Sequence, residues 1–173
     1  MTTSIFAPTT VTPLLDTEVT LADAQALIWR EAELLDRLEY KPWLGLWTAE
    51  AYYVIPADRA GGEATEKLNI VYDDANMRAM RVKRLISGFA MASAPPARTV
   101  RMVSRFVVAD SGPGVISLRA AQMLIEFKYG RTRTLAADVE FRLVATAEGL
   151  KIDRKVVTLI NADEPLHGIG YLL

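Results

Sequence analysis

Apolar residues recur with one period up to residue 95 and with another beyond it. Before Pro95-Pro96 the spacing is helical. After it, apolar residues fall at every second position almost to Leu173. The two prolines make the change sharp, because proline lacks the N–H that continues a helix and pushes its predecessor out of the α region. Helices first and a run of strands afterwards predict one α+β domain, with its helices on one face of a mostly antiparallel sheet.

Residues 1–19 are Thr- and Pro-rich, yet Ile5, Phe6, Val11, Leu14 and Leu15 make them too apolar for a solvated linker. They read as an extended arm, followed by a domain over 20–173. Thr20 with Asp23 has the form of a capping box. It opens a helix to about Leu38, with Leu21, Ala24, Ile28, Leu35 and Leu38 on the apolar face and Glu31, Glu33, Arg37 and Glu39 on the polar one. Pro42 suits the first turn of a short apolar helix, 42–48. Ala51–Ile55 and Leu68–Tyr72 read as strands, and the Gly61-Gly62 stretch between them as a loop. Asp73-Asp74 cap a helix to about Ala92, with Val82, Leu85, Ile86 and Phe89 on its apolar face, extended by Met77 and Met80. Its Arg78, Arg81, Lys83 and Arg84 form either a solvated face or a surface for an acidic partner.

From Arg98 the chain alternates. Turn signals at 110–114, Gly130 and Glu148-Gly149 divide it into strands ending near residues 109, 129, 146 and 160. Strands much longer than the usual five or six residues predict strong curvature. A curved meander around helices makes a cone with a potential pocket. In 131–146, Leu135, Ala137, Val139, Phe141, Leu143 and Ala145 share one face, and Thr134, Asp138, Glu140 and Arg142 the other.

Composition narrows the chemistry. The net charge of −1 argues against a broad nucleic-acid or anionic-membrane footprint. No run approaches the roughly 18 apolar residues of a membrane span, and the N-terminus lacks the pattern of a secretory signal, so the chain reads as cytoplasmic. There is no Cys and one His, His167. A Rieske cluster needs two of each, and a mononuclear iron triad needs two His, so this chain alone builds neither. Within a cone, Asp36, Tyr40, Tyr53, Asp74, Arg98, Asp138 and His167 are candidates for acid–base chemistry of the isomerase or dehydratase kind. Each also has a plain structural use as a cap, a core aromatic or a surface group. A non-catalytic ligand-binding module is a further reading.

The chain resembles the small (beta) subunits of bacterial aromatic-ring-hydroxylating dioxygenases. The resemblance rests on Glu31-Ala-Glu-Leu-Leu-Asp36, Tyr40, Trp43-Leu-Gly-Leu-Trp47 and Tyr52-Tyr53 before Pro56. It continues through Asp73-Asp74, Arg81-Val82 and Arg84-Leu85, the run Pro95-Pro-Ala-Arg-Thr-Val-Arg-Met-Val-Ser104, then Arg154, Val156, Asn161 and Leu172-Leu173. Ala97 departs from the family's usual Ser, and Arg105-Phe106 from its Asn-Val. The resemblance implies the cone-shaped roll of ketosteroid isomerase and nuclear transport factor two. It implies a mainly structural subunit without catalytic, cofactor-binding or metal-binding residues of its own, in an assembly of three large and three small chains. The Rieske cluster and the mononuclear iron would lie in the large subunit, fed from NADH through a ferredoxin or reductase. Arg81, Arg84, Arg98 and Arg101 then become candidates for contacts across subunits, with pairing to Asp73, Asp74 or Glu140 inside the chain equally open.

Overall fold

The computed structural model describes residue 13 and residues 16–60, 68–87, 95–164 and 168–173. The apolar residues of the expected arm, the Gly61-Gly62 loop, Phe89 and His167 lie outside the described residues. The elements are α1 (Leu21–Asp36), α2 (Tyr40–Leu44), β1 (Trp47–Pro56), β2 (Asn69–Asp73), α3 (Ala75–Ser87), β3 (Arg98–Gly112), β4 (Val115–Lys128), β5 (Arg131–Thr146) and β6 (Gly149–Leu159).

Thr20 caps α1 as its sequence predicts: its hydroxyl accepts from Asp23 N at 3.2 Å, and Asp23 Oδ2 accepts from Thr20 N at 3.0 Å. The buried face of α1 is Ala24, Ile28, Glu31, Ala32, Leu34 and Leu35. Glu31 therefore departs from the polar face predicted for it, because a partner awaits it inside. The second helix is shorter and earlier than 42–48. It ends at Leu44, and Trp47 already opens β1. Asp74 caps α3 through Met77 N at 2.8 Å, while Asp73 closes β2 and is fully buried. The helix inverts part of its predicted pattern. Met77, Met80 and Ile86 are exposed, and Arg78 is buried beside Val82. Arg78 Nη1 donates to the carbonyls of Ala51 and Asp73, Nη2 donates to Thr48 O at 3.3 Å, and the guanidinium stacks 4.6 Å from the Trp47 ring. Stacking and carbonyl acceptors are the environment a buried guanidinium needs. Burial still pushes its pKa down to about 10, against the pull of Asp73 and Asp74.

The six strands form one sheet in the order β2-β1-β6-β5-β4-β3. β3 to β6 are an antiparallel meander, and β1 joins β6 in parallel, the one parallel pair among the described residues. Tyr129 and Gly130 both take positive φ in the β4–β5 turn, as a tight two-residue hairpin with the right twist demands. At the opposite end Gly114 N donates to Thr17 O at 2.7 Å, tying residue 17, within the expected arm, to the β3–β4 turn. In β5 every inward residue predicted by alternation, Leu135 to Ala145, is buried. β3 is an edge strand interrupted twice, between Ser104 and Val107 and between Val108 and Asp110. Arg105 takes φ of 55° in the first interruption. Trp29 of α1 donates from Nε1 to Val103 O at 3.2 Å beside it. The helices lie on the inner face of the sheet, giving a cone-like α+β fold whose core runs from Trp43 and Trp47 to Leu143 and Ile152.

Candidate functional site

The interior is where the cone would hold a substrate. α1 brings Glu31 there and β6 brings Lys155. Lys155 Nζ lies 2.9 Å from Glu31 Oε1 and 2.9 Å from Leu173 O, with only 1% and 2% of the two side chains exposed. Glu31 Oε1 also accepts from Trp43 Nε1 at 3.1 Å. The ammonium sits 5.6 Å from the Phe141 ring centroid and 5.9 Å from that of Tyr53. Tyr53 OH donates to Leu173 O at 3.1 Å and accepts from Leu173 N at 3.0 Å. Desolvation lowers the Lys155 pKa from its ordinary value, with Glu31 pulling the other way. Desolvation likewise raises that of Tyr53. A general acid or base must face the proton it moves. Here the acid, the amine and the phenol face one another and the backbone of Leu173, while the side chains of Leu172 and Leu173 pack in the buried core.

The acid–base candidates are dispersed. Asp36 accepts from Thr99 Oγ1 at 2.8 Å, from Arg101 N at 2.8 Å and from the Arg101 guanidinium, fastening α1 to β3. Tyr40 is a core aromatic whose pKa burial raises. Asp74 is a cap. The Arg98 guanidinium stacks 4.6 Å from the Phe127 ring. Asp138 pairs at the surface with Arg105 and, at 3.4 Å, with Arg59. Among the described residues no cluster of His, Cys, Asp or Glu is arranged to hold a metal ion.

The four arginines named as interface candidates divide. Arg81 bonds buried Asp73 at 2.5 and 2.9 Å through Nε and Nη2. Arg101 is buried, spending its guanidinium on Asp36, Thr99 and Leu172 O. Arg84 and Arg98 stand exposed. Sequence reading passed over Glu31 and Lys155 as site residues and over Arg78 as an anchor. Nothing in their spacing separates a charged residue that turns inward from one that stays in water.

The outer face of the meander has the opposite character. Met102 lies opposite Met123 and Met123 opposite Ala136; Val100 lies opposite Ile125, and Arg98 opposite Phe127. Directly opposed residues share a face. On it Val100 is 58% exposed, Met102 47%, Met123 44% and Phe127 38%. Met102, Ala121, Met123, Ala136 and Ile160 line a shallow depression of about 350 Å³, which Arg105 and Asp138 also border. A large contiguous apolar patch with a polar rim is the usual mark of an interaction surface. No described helix is long and apolar enough to cross a membrane.

Comparison with known proteins identifies the family. A family model described as the ring hydroxylating beta subunit matches residues 30–163. The small oxygenase component of the p-cumate 2,3-dioxygenase system of Pseudomonas putida is 29% identical over 139 residues, 79% of this chain and 77% of that protein. The beta subunit of benzoate 1,2-dioxygenase from Burkholderia mallei has a TM-score of 0.76 at 22% identity, covering 90% of this chain and 99% of that one. A structure of naphthalene 1,2-dioxygenase with indole bound in its active site gives 0.72 at 19% identity, covering 88% and 84%.

Proposed function

The chain belongs to the ring-hydroxylating beta subunit family, and from that premise we propose that its outer sheet face seats it on a larger, catalytic subunit. It is the small subunit of an aromatic-ring-hydroxylating dioxygenase system. Its part is structural, and the O₂-adding centre belongs to its partner. The ligand count supports this assignment. A Rieske cluster takes two Cys and two His, and a mononuclear iron site takes two His with a carboxylate; a chain with no Cys and one His supplies neither set. On this reading the large subunit holds both centres, with a ferredoxin or reductase passing electrons from NADH to it. We place the assembly in the cytoplasm as three large and three small chains.

The observation that carries this reading is the apolar ladder Val100, Met102, Met123 and Phe127, left in water on the outer face of β3 and β4. Exposed Arg98 and Arg84 suit charge-assisted bonds at its margin and on α3. The interface should bury about 2,000 Å² or more, as obligate ones do. Gentle purification from the native extract, with mass and iron measured on the complex, tests it. The expected result is copurification in equal numbers with a larger, iron-bearing chain. Elution as an iron-free monomer or dimer of this chain alone would overturn the proposal.

A further inference from the structure

A second cavity, of about 470 Å³, opens between the β1–β2 pair and the segment Gly168–Leu173. Its floor is Ile55, Val71, Leu159, Ala162 and Leu173, all buried. Two residues of that segment, Tyr171 and Leu173, are anchored. Tyr53 and Lys155 hold the backbone of Leu173, and Tyr171 OH donates to Glu126 Oε2 at 2.9 Å. Half-exposed Ile70 stands among the lining residues on β2. Arg81 also lines the cavity. Its guanidinium is locked by the fully buried Asp73 carboxylate through Nε and Nη2, and the same bond holds it firmly charged. Its plane and the Nη1 edge are the parts not committed to Asp73.

We infer that this cavity is a binding site for a small, uncharged aromatic molecule carrying one oxygen, such as a phenol. The volume falls in the range of small-ligand pockets, which combine an apolar lining with a few placed polar groups. A fixed guanidinium offers an aromatic ring a flat cationic surface and offers an oxygen an N–H. A carboxylate is disfavoured, because Asp73 already neutralises Arg81 and Glu164 lines the same space. The site is remote in kind from oxygenation. It binds without reacting, and it belongs to the small subunit itself.

The test titrates phenol, by calorimetry, into the protein as it copurifies, with native and Ile70→Trp small chains compared. The difference between the two isolates this cavity from any site in a partner. Ile70 is half-exposed, so the larger ring can fill the space from its open side without entering the core. The expected result is one phenol site per small chain that weakens about tenfold or more in Ile70→Trp. Arg81→Lys, which keeps a cation beside Asp73 but loses the planar fork, weakens it by a smaller factor. Benzoate binds about tenfold less tightly than phenol at this site. Equal phenol binding by native and Ile70→Trp proteins, absence of a saturable site, or benzoate binding as tightly as phenol would overturn the inference. A cavity filled by a partner side chain in the complex also gives no difference between the two proteins, and so overturns it too.

Discussion

The two faces of the meander exchange the usual roles of inside and outside. The inner face and the helices against it carry Glu31, Lys155, Arg101 and Asp36 in or beside the core, and each has a partner within the chain. The outer face carries Val100, Met102, Met123 and Phe127 in water, where apolar surface is unfavourable. The difference lies in what is complete. The interior pairs each of these charges within the chain, Lys155 with Glu31 and Arg101 with Asp36. The exterior leaves apolar side chains in water, which is the surface the proposed assembly would cover.

The comparison breaks first if the interior charges prove dispensable. Lys155→Met leaves Glu31 as a buried carboxylate without its cation, and should cost about 3–5 kcal/mol in denaturant unfolding. Adding Glu31→Gln should recover much of that loss, since the double variant buries no lone charge. On the outer face, Met123→Asp should leave the secondary structure of the small chain intact by circular dichroism. It should weaken association with the large subunit by about 2 kcal/mol or more if Met123 sits at the centre of the interface. An unchanged complex would deny that face its role. Tyr53→Phe removes the hydroxyl that both donates to and accepts from Leu173. Two buried backbone groups lose a partner, and the expected cost is about 1–2 kcal/mol, read by thermal unfolding.

The smallest effect concerns Glu140, opposite Arg119 on β4. Burial raises its pKa, with Arg119 and Arg154 opposing. Between the ordinary carboxylate value and the raised one, the folded chain binds more proton than the unfolded chain, so this group's contribution to stability grows as pH falls through the raised pKa. Glu140→Gln should remove that component from the stability–pH curve. A curve of unchanged shape would contradict the assignment.

Legibility in the sequence followed the physics of each element. β5 was readable because one alternate set is uniformly apolar, so alternation decided its face. β3 was not, because both of its sets contain apolar residues: Thr99, Arg101 and Val103 turn inward, and Val100 and Met102 turn out. The cap at Thr20 is local chemistry and was fully visible. The Glu31–Lys155 pair spans 124 residues and leaves no trace in either helix or strand period. Likewise α3 reads as amphipathic, but Arg78 is drawn inward by carbonyls from β1 that only the fold supplies. The family was legible through an ordered series of short motifs. The cavity lined by Ile55, Val71 and Arg81 was not, since its walls come from β1, β2, α3, β6 and residues on either side of 165–167.

The interruptions in β3 bear on what happens before the subunit meets its partner. An edge strand of 15 residues beside an apolar face would be a template for fibrils, since unpaired N–H and C=O groups recruit strands from other copies. The two bulges cut that edge into short, twisted pieces, Arg105 sets a long cation at the first break, and Trp29 occupies the Val103 carbonyl. The opposite edge, β2, has only five residues. A newly made chain can thus keep its sticky face available for assembly while withholding the backbone hydrogen bonds that would propagate an amyloid-like stack.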